Sequence, residues 1–299
     1  MRVDPNYVTN LASALDGTQA REQQLSNELS SGVRINSLSD DPIAAGQNVL
    51  LLNQIQRDDS FTQSADLVTG QLQVADSALG SVVSQLNDAI SLATSADNGT
   101  MNASDVQSIG AQISGILNEV QSLANTSYQG QFIFAGGKTS ATPFSTSSAT
   151  SPAVTTYSGD GDINYLETPN GQKIQLNVPG DQIFLGTSNV FATLNTLVSD
   201  FSNGTVDTAQ VQADTQGLTA ALNYVSQQRV TIDNSMTQLT AASGAVSSEQ
   251  AQLTASQTDL MQADLATVAT QLSLSQTQAT ALESVISQLG SGSLFDKLQ

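Results

Sequence analysis

The stretches VTNLASALDGTQAREQQLSNEL at 8–29 and LATVATQLSLSQTQATALESVISQL at 265–289 decide the fold of this chain. In both, residues at alternating steps of three and four are apolar except at Thr18 and Glu22 in the first and at Ser275 in the second. This heptad spacing draws one narrow apolar stripe along a helix. The N-terminal stripe is Val8, Leu11, Leu15, Leu25 and Leu29, and the C-terminal stripe is Leu265, Val268, Leu272, Ala279, Leu282, Ile286 and Leu289. A helix cannot bury such a stripe alone, so both ends of the chain need a partner.

Two partners for these stripes are open at this point. The terminal helices could pack as one antiparallel pair within a chain, or the stripes could contact neighbouring copies, since two helices cover only one side of each other. We predict the second arrangement. The predicted assembly interface is every stripe residue except Ala279, together with Arg34. Arg34 lies beside Asp40 and Asp41, so a local ion pair is its alternative role.

Charge and composition exclude several classes of function. The 299 residues carry 27 acidic against 8 basic side chains, a net charge of -19. Such a field repels phosphate, so the sequence predicts neither nucleic acid nor a membrane surface as a partner. Histidine and cysteine are absent, which removes the usual general base, the commonest metal ligand and the thiolate. We therefore expect no enzyme, no cofactor and no metal site.

One motif has the opening of a calcium loop, D-x-D-x-N at 160–164. The glycine and the glutamate that such a loop needs further on are missing, so an acidic hairpin tip is the better interpretation. The chain also lacks a run of about 18 apolar residues and a basic leader followed by an apolar segment. The sequence thus predicts no membrane span and no cleaved signal peptide.

Between its two ends the chain alternates long helical segments with one β-rich segment. Helices are expected over about 5–31 and 42–98, in a third segment that Ser104 or Asn102 caps and whose register runs through Leu123, in a short piece from 190, and over about 205–260. Residues 138–188 are rich in Ser, Thr, Gly and Pro, and Asn170-Gly171 is typical of a type I′ hairpin turn. The predicted fold class is mainly α, with a terminal coiled-coil region, a helical bundle and a small β-rich insert.

A change of phase near the C-terminus suggests the domain boundaries. The heptad register that runs through Leu253 and Leu260 would continue at Asp264, whereas the terminal stripe uses Leu265. A one-residue slip rotates the apolar stripe and marks a join between two packing environments. We therefore predict a terminal coiled-coil domain of 1–41 with 261–299, a helical bundle of 42–137 with 189–260, and an outer β-rich domain of 138–188.

Several motifs are similar to those of a known family. LSSGVRINSLSDDPIAA at 29–45 resembles the N-terminal signature of the flagellin superfamily, and the segment 265–298 resembles its C-terminal signature. Within that superfamily, ANTSYQGQFIFAGGKTSATPF at 124–144 is similar to the hook–filament junction proteins rather than to flagellins.

The resemblance implies a structural subunit of the bacterial flagellum, located outside the cell and exported without a cleaved signal. Its implied partners are further copies in a ring, the hook-side junction protein, flagellin, and an export chaperone on the C-terminal region. Two alternatives stay open. One is a flagellin that forms the filament itself, and the other is an unrelated coiled-coil adhesin or fibre protein.

Overall fold

The computed structural model describes residues 5–97, 101–147, 151–186 and 188–291. The helices in these ranges are α1 (Pro5–Ser31), α2 (Pro42–Ala96), α3 (Ala103–Ala124), α4 (Gly180–Phe184), α5 (Val190–Ser202), α6 (Thr208–Met261) and α7 (Leu265–Ser291). The strands are β1 (Ser127–Tyr128), β2 (Gln131–Phe132), β3 (Phe144–Ser147), β4 (Val154–Tyr157), β5 (Tyr165–Glu167) and β6 (Lys173–Gln175). The mainly α fold class is confirmed.

The chain divides into two compact units, one of residues 1–56 with 249–299 and one of residues 57–248. The unit of 57–248 holds a continuous apolar core drawn from α2, α3, α5 and α6, in which Leu79, Ile113, Leu194 and Leu218 are fully buried. These positions follow the three-and-four spacing of the sequence. The three-domain division made from the sequence remains a prediction.

An ion pair replaces an apolar side chain at one position of this core. Arg229 of α6 donates from Nε to Asp76 Oδ1 at 2.7 Å and from Nη2 to Oδ2 at 3.0 Å. This two-point hydrogen bond to Asp76 raises the pKa of Arg229 further above its ordinary value. Because both groups keep partial contact with water, we assign the pair to fixing the register of α2 against α6 rather than to net stability.

The β segment is held onto the helices by an aromatic cluster. Phe144 of β3 packs its ring against Phe184 of α4 and Phe191 of α5, with centroids 5.3 and 5.2 Å apart. Tyr157 of β4 places its hydroxyl 2.9 Å from the carbonyl oxygens of Phe134 and Asp160. Burial raises the pKa of Tyr157 to about 12, and the negative charge of Asp181 is the second cause. The hydroxyl therefore keeps its proton.

Three details differ from the expectations. The short helix α4 lies within residues 138–188, which the sequence predicts to be β-rich. Helix α6 begins at Thr208 rather than near 205, because Asp207 accepts hydrogen bonds from the Ala209 and Gln210 amides and caps it. The hairpin at Asn170-Gly171 forms between β5 and β6, but the type I′ turn is wrong. Gly171 has a φ of +82°, whereas Asn170 lacks the positive φ that such a turn also needs at its first central residue.

Candidate assembly interface

The two terminal helices pack against each other in an antiparallel pair within the unit of 1–56 and 249–299. Leu25 of α1 and Val268 of α7 are buried together with Ala263. Further along, the hydroxyl of Ser275 donates to the backbone oxygen of Thr18 at 3.4 Å. A buried polar side chain, that of Ser275, therefore occupies the seam between Leu272 and Ala279.

The predicted interface residues fall into four groups. Leu25 and Val268 are buried between the helices. The half-buried residues are Leu11, Leu15, Leu272, Leu282 and Ile286. The exposed residues are Leu29, Leu265 and Arg34. Val8 and Leu289 belong to helices α1 and α7, and their side chains lie outside the described part of the chain.

The pair leaves a second apolar line on α7 uncovered. Leu274 is 58% exposed and Val285 is 39% exposed, and both lie to one side of the seam. Over its 27 residues α7 carries a single charged side chain, Glu283. A solvated surface helix usually carries far more charge than this. The exposed side of α7 is therefore suited to contact with protein. Packing against α1 alone leaves Leu274 and Val285 uncovered.

The loop after α1 is tied to the end of α6 mainly by backbone hydrogen bonds. Arg34 N donates to the oxygen of Met261 at 2.7 Å, and Ala263 N donates to the oxygen of Gly32 at 2.9 Å. Val33 and Gln262 form an antiparallel bridge between these two bonds. The break between α6 and α7 lies here, next to the phase slip that the sequence placed at Leu260.

Arg34 makes the local ion pair that was its alternative role. Its Nη1 lies 3.3 Å from Asp41 Oδ2, and its Nη2 donates to the oxygen of Leu260 at 3.2 Å. The guanidinium remains nearly half exposed, so the pair contributes about 1 kcal/mol or less. A contact between Arg34 and a neighbouring copy remains a prediction.

Three aspartates, of which Asp40 and Asp264 are exposed and Asp41 is half-buried, hold the backbone of this loop and of the α7 start. Asp40 accepts from the Ser37 hydroxyl and from the Ser37 and Asn36 amides, and these bonds lower its pKa. Asp264 accepts from the hydroxyl and amide of Thr267, which lowers its pKa in the same way. Asp41 caps α2 through the Ala44 amide, with a lowered pKa. These carboxylates therefore fix the local backbone.

Sequence reasoning missed two features of this unit. The first turns of α2 expose large apolar side chains, with Ile43 77% and Leu50 70% exposed. A pocket of about 410 Å³ lies beside the α1–α2 loop, and its lining residues are Gly32, Val33, Asn48, Gln257, Thr258, Met261 and Gln262. Residues 42–56 contain no charged side chain, which is the signal that could have drawn attention to this surface.

The described residues contain no cluster of three or more acidic side chains placed to hold a metal ion. Within the same ranges, every helix is too short or too polar to span a bilayer.

Comparison with known proteins finds similar chains among flagellar proteins. The model of the bacterial flagellin N-terminal helical region matches residues 6–139. Flagellar hook-associated protein 3 of Salmonella typhimurium is 33% identical over 139 residues, which cover 46% of this chain and 44% of that protein. The protein of the same name from Escherichia coli is 26% identical over 224 residues, which cover 70% of this chain and 68% of that protein.

A solved structure shares the fold. The flagellar junction protein of Legionella pneumophila superposes with a TM-score of 0.58 at 13% identity, covering 72% of this chain and 99% of that one. The chain is thus similar to flagellin-type proteins in its N-terminal helical region and in its fold. Its resemblance to the proteins named flagellar hook-associated protein 3 is confirmed, and the aligned part spans less than half of the Salmonella protein.

Proposed function

We propose that this chain is a structural subunit that joins the flagellar hook to the flagellin filament and assembles through its terminal helices. The observation that carries the proposal is the incompletely covered α1–α7 pair in a chain whose relatives are hook-associated proteins. A subunit of this kind needs no catalytic group. Its role depends on side chains such as Leu15 and Leu282 that one partner helix leaves half-buried.

The proposed partners are further copies in a ring, the hook-side junction protein on one side and flagellin on the other. A chaperone for the C-terminal region before export, and a location outside the cell without a cleaved signal, complete the proposal. The apolar and nearly uncharged α7 supports a chaperone, because such a helix exposes an adhesive surface while it has no assembly partner.

Electron microscopy of the bacterium that encodes this chain tests the junction role. Deletion of the gene should leave hooks without filaments and release flagellin into the medium, because the adaptor between the two is lost. Wild-type protein should restore filaments, whereas Leu15→Asp should not, since it puts a charge into the seam. The matched control Leu67→Asp, at an exposed site of α2 outside the seam, should restore them. Normal filaments on deleted cells would refute the proposal.

A flagellin is the second candidate, favoured by the match of residues 6–139 to the flagellin N-terminal helical region. The two functions differ in what the purified protein does. A flagellin polymerises into long filaments unaided, whereas a junction subunit stops at short assemblies. We favour the junction subunit because the segment 124–144 resembles the junction proteins.

A further inference from the structure

The start of α2 carries an apolar ridge formed by Ile43 and Leu50. The two residues are seven positions apart, so they lie on one line of the helix, roughly 10 Å from each other. Gly46 lies between them, and a Cβ placed there meets nothing within 4 Å. The ridge therefore has two projecting side chains and a notch between them. Among the described residues, these are the two most exposed large apolar side chains.

The pocket described above lies on a different side of the same helix. Asn48 is the residue of α2 that lines it, and its side chain accepts a hydrogen bond from Gln257 of α6. Asn48 is five positions after Ile43 and two positions before Leu50. At 3.6 residues per turn these steps place the pocket about 140–160° around the helix from the ridge. Ridge and pocket thus face in nearly opposite directions.

Both surfaces are free of charge. Residues 42–56 contain no acidic or basic side chain, and the same is true of the pocket lining. Two copies of a chain with a net charge of -19 repel each other over most of their surface. A contact between copies is least opposed where both faces are uncharged. The pocket has a volume of about 410 Å³, is open to solvent, and has Val33 and Met261 as its apolar side chains. This volume is ample for an aliphatic side chain.

We propose that the ridge of Ile43 and Leu50 on one copy inserts into the pocket beside the α1–α2 loop of a second copy. The contact joins two different patches, so it is heterologous and leaves a free ridge at one end and a free pocket at the other. Such contacts add copies in one direction and give a ring or a helical row, never a closed dimer. The inference rests on the proposed function, since both require copies to meet through this unit.

Cross-linking of the full-length chain tests the contact, and the chain's lack of native cysteine makes the result clean. The double variant Ile43→Cys with Thr258→Cys puts one thiol on the ridge and one at the pocket. A disulfide needs Cα atoms within about 7 Å, so only an inserted ridge allows it. Under mild oxidation at high protein concentration, we expect a ladder of dimers, trimers and larger species that collapses on reduction.

Two matched controls define the face and the symmetry. Ile43→Cys with Ser256→Cys moves the second thiol about 160° around α6, away from the pocket, and should give no ladder. Each single-cysteine variant should stay monomeric on a non-reducing gel. Circular dichroism of every variant should match the wild type, because all three positions have exposed side chains.

The outcomes separate this inference from the proposed function. A double variant that is folded but forms no ladder would overturn the ridge-and-pocket contact. A strong dimer from Ile43→Cys alone would also overturn it, since it would show a ridge-to-ridge contact. Either result leaves the hook-without-filament phenotype untouched. That phenotype fails on its own if deleted cells carry normal filaments.

Discussion

At the scale of single residues, the carboxylate of Asp214 lies in surroundings that disfavour its charge. Asp214 of α6 is only 8% exposed, and its Oδ2 has no hydrogen-bond partner. Its Oδ1 accepts from Gln210 at 3.1 Å. Burial raises the pKa of Asp214, and the negative charge of Asp200 raises it further. The hydrogen bond from Gln210 acts in the opposite direction and lowers the pKa. Burial also raises the pKa of Asp200, and the negative charge of Asp207 is the second cause.

These shifts fix how stability depends on pH. An aspartate with a raised pKa in the folded state holds its proton longer than the unfolded chain does. Its contribution to stability is therefore lost as the pH rises from the ordinary Asp pKa of 3.8 through the raised folded value. At neutral pH the buried charge of Asp214 is destabilising.

Asp214→Asn should therefore raise the free energy of unfolding at pH 7 by about 1 kcal/mol, the scale of an unsatisfied buried group. The gain over wild type should shrink as the pH falls toward 4, because both side chains are then neutral. Urea denaturation at several pH values measures this difference. Glu119→Gln, at an exposed carboxylate of α3, should change nothing at either pH. A gain that does not depend on pH would contradict the assignment.

At the scale of elements, the turn after β2 holds the β segment in place. Gly136 has a φ of +66°, and a Cβ there would collide with the backbone oxygen of Asp160. The neighbouring Gly137 amide donates to the carboxylate of Asp160. The close approach at Gly136 and the hydrogen bond from Gly137 therefore join the turn after β2 to the loop after β4.

Gly136→Ala should lower the free energy of unfolding by about 2–3 kcal/mol, through backbone strain and the collision with Asp160 together. Gly130→Ala is the matched control. Its φ of +80° is equally unfavourable for alanine, but its Cβ would meet nothing within 4 Å. This variant should lose only about 1 kcal/mol. Equal losses in urea denaturation would mean that the close approach to Asp160 contributes nothing.

Most of the helices could be predicted from the sequence because they follow local rules, whereas the short helix α4 lies inside the segment predicted to be β-rich. Heptad spacing gives α1 and α7, and Asn102 caps α3 by accepting from the Asp105 amide. The ridge and the pocket could not, since they depend on which face of α2 stays uncovered after α6 packs against it. A sequence names the apolar residues of a helix such as Ile43 and Leu50. It does not state which of them the rest of the chain leaves exposed.

At the scale of the whole molecule, burial is distributed unevenly between the two units. The unit of 57–248 has a large continuous core, whereas the unit of 1–56 and 249–299 has the small cluster of Leu25, Ala263 and Val268, with Leu272 packed beside it. Local opening requires less free energy where less apolar surface is buried. The terminal helix pair should therefore open far more often than the bundle.

Hydrogen exchange on the dilute protein measures this difference. We expect the amides of Leu15 and Leu282 to be protected at least about tenfold less than those of Leu79 and Leu218, a gap of roughly 1.4 kcal/mol or more. Assembly should raise protection at the two terminal sites and leave the other two unchanged. Equal protection in the dilute protein would mean that the terminal helices are satisfied without neighbours.

The ties between the α1–α2 loop and the end of α6 have a consequence for sequence drift. Because amides and carbonyls make these bonds, they survive replacement of the side chains of Val33, Met261 or Ala263. Arg34→Pro or Ala263→Pro would remove the backbone N–H that donates one of these bonds. Gly32 has a φ of +69°, a conformation that is unfavourable for residues with a side chain. The side chains around this connection can therefore change during evolution while the backbone hydrogen bonds between the α1–α2 loop and the end of α6 are kept.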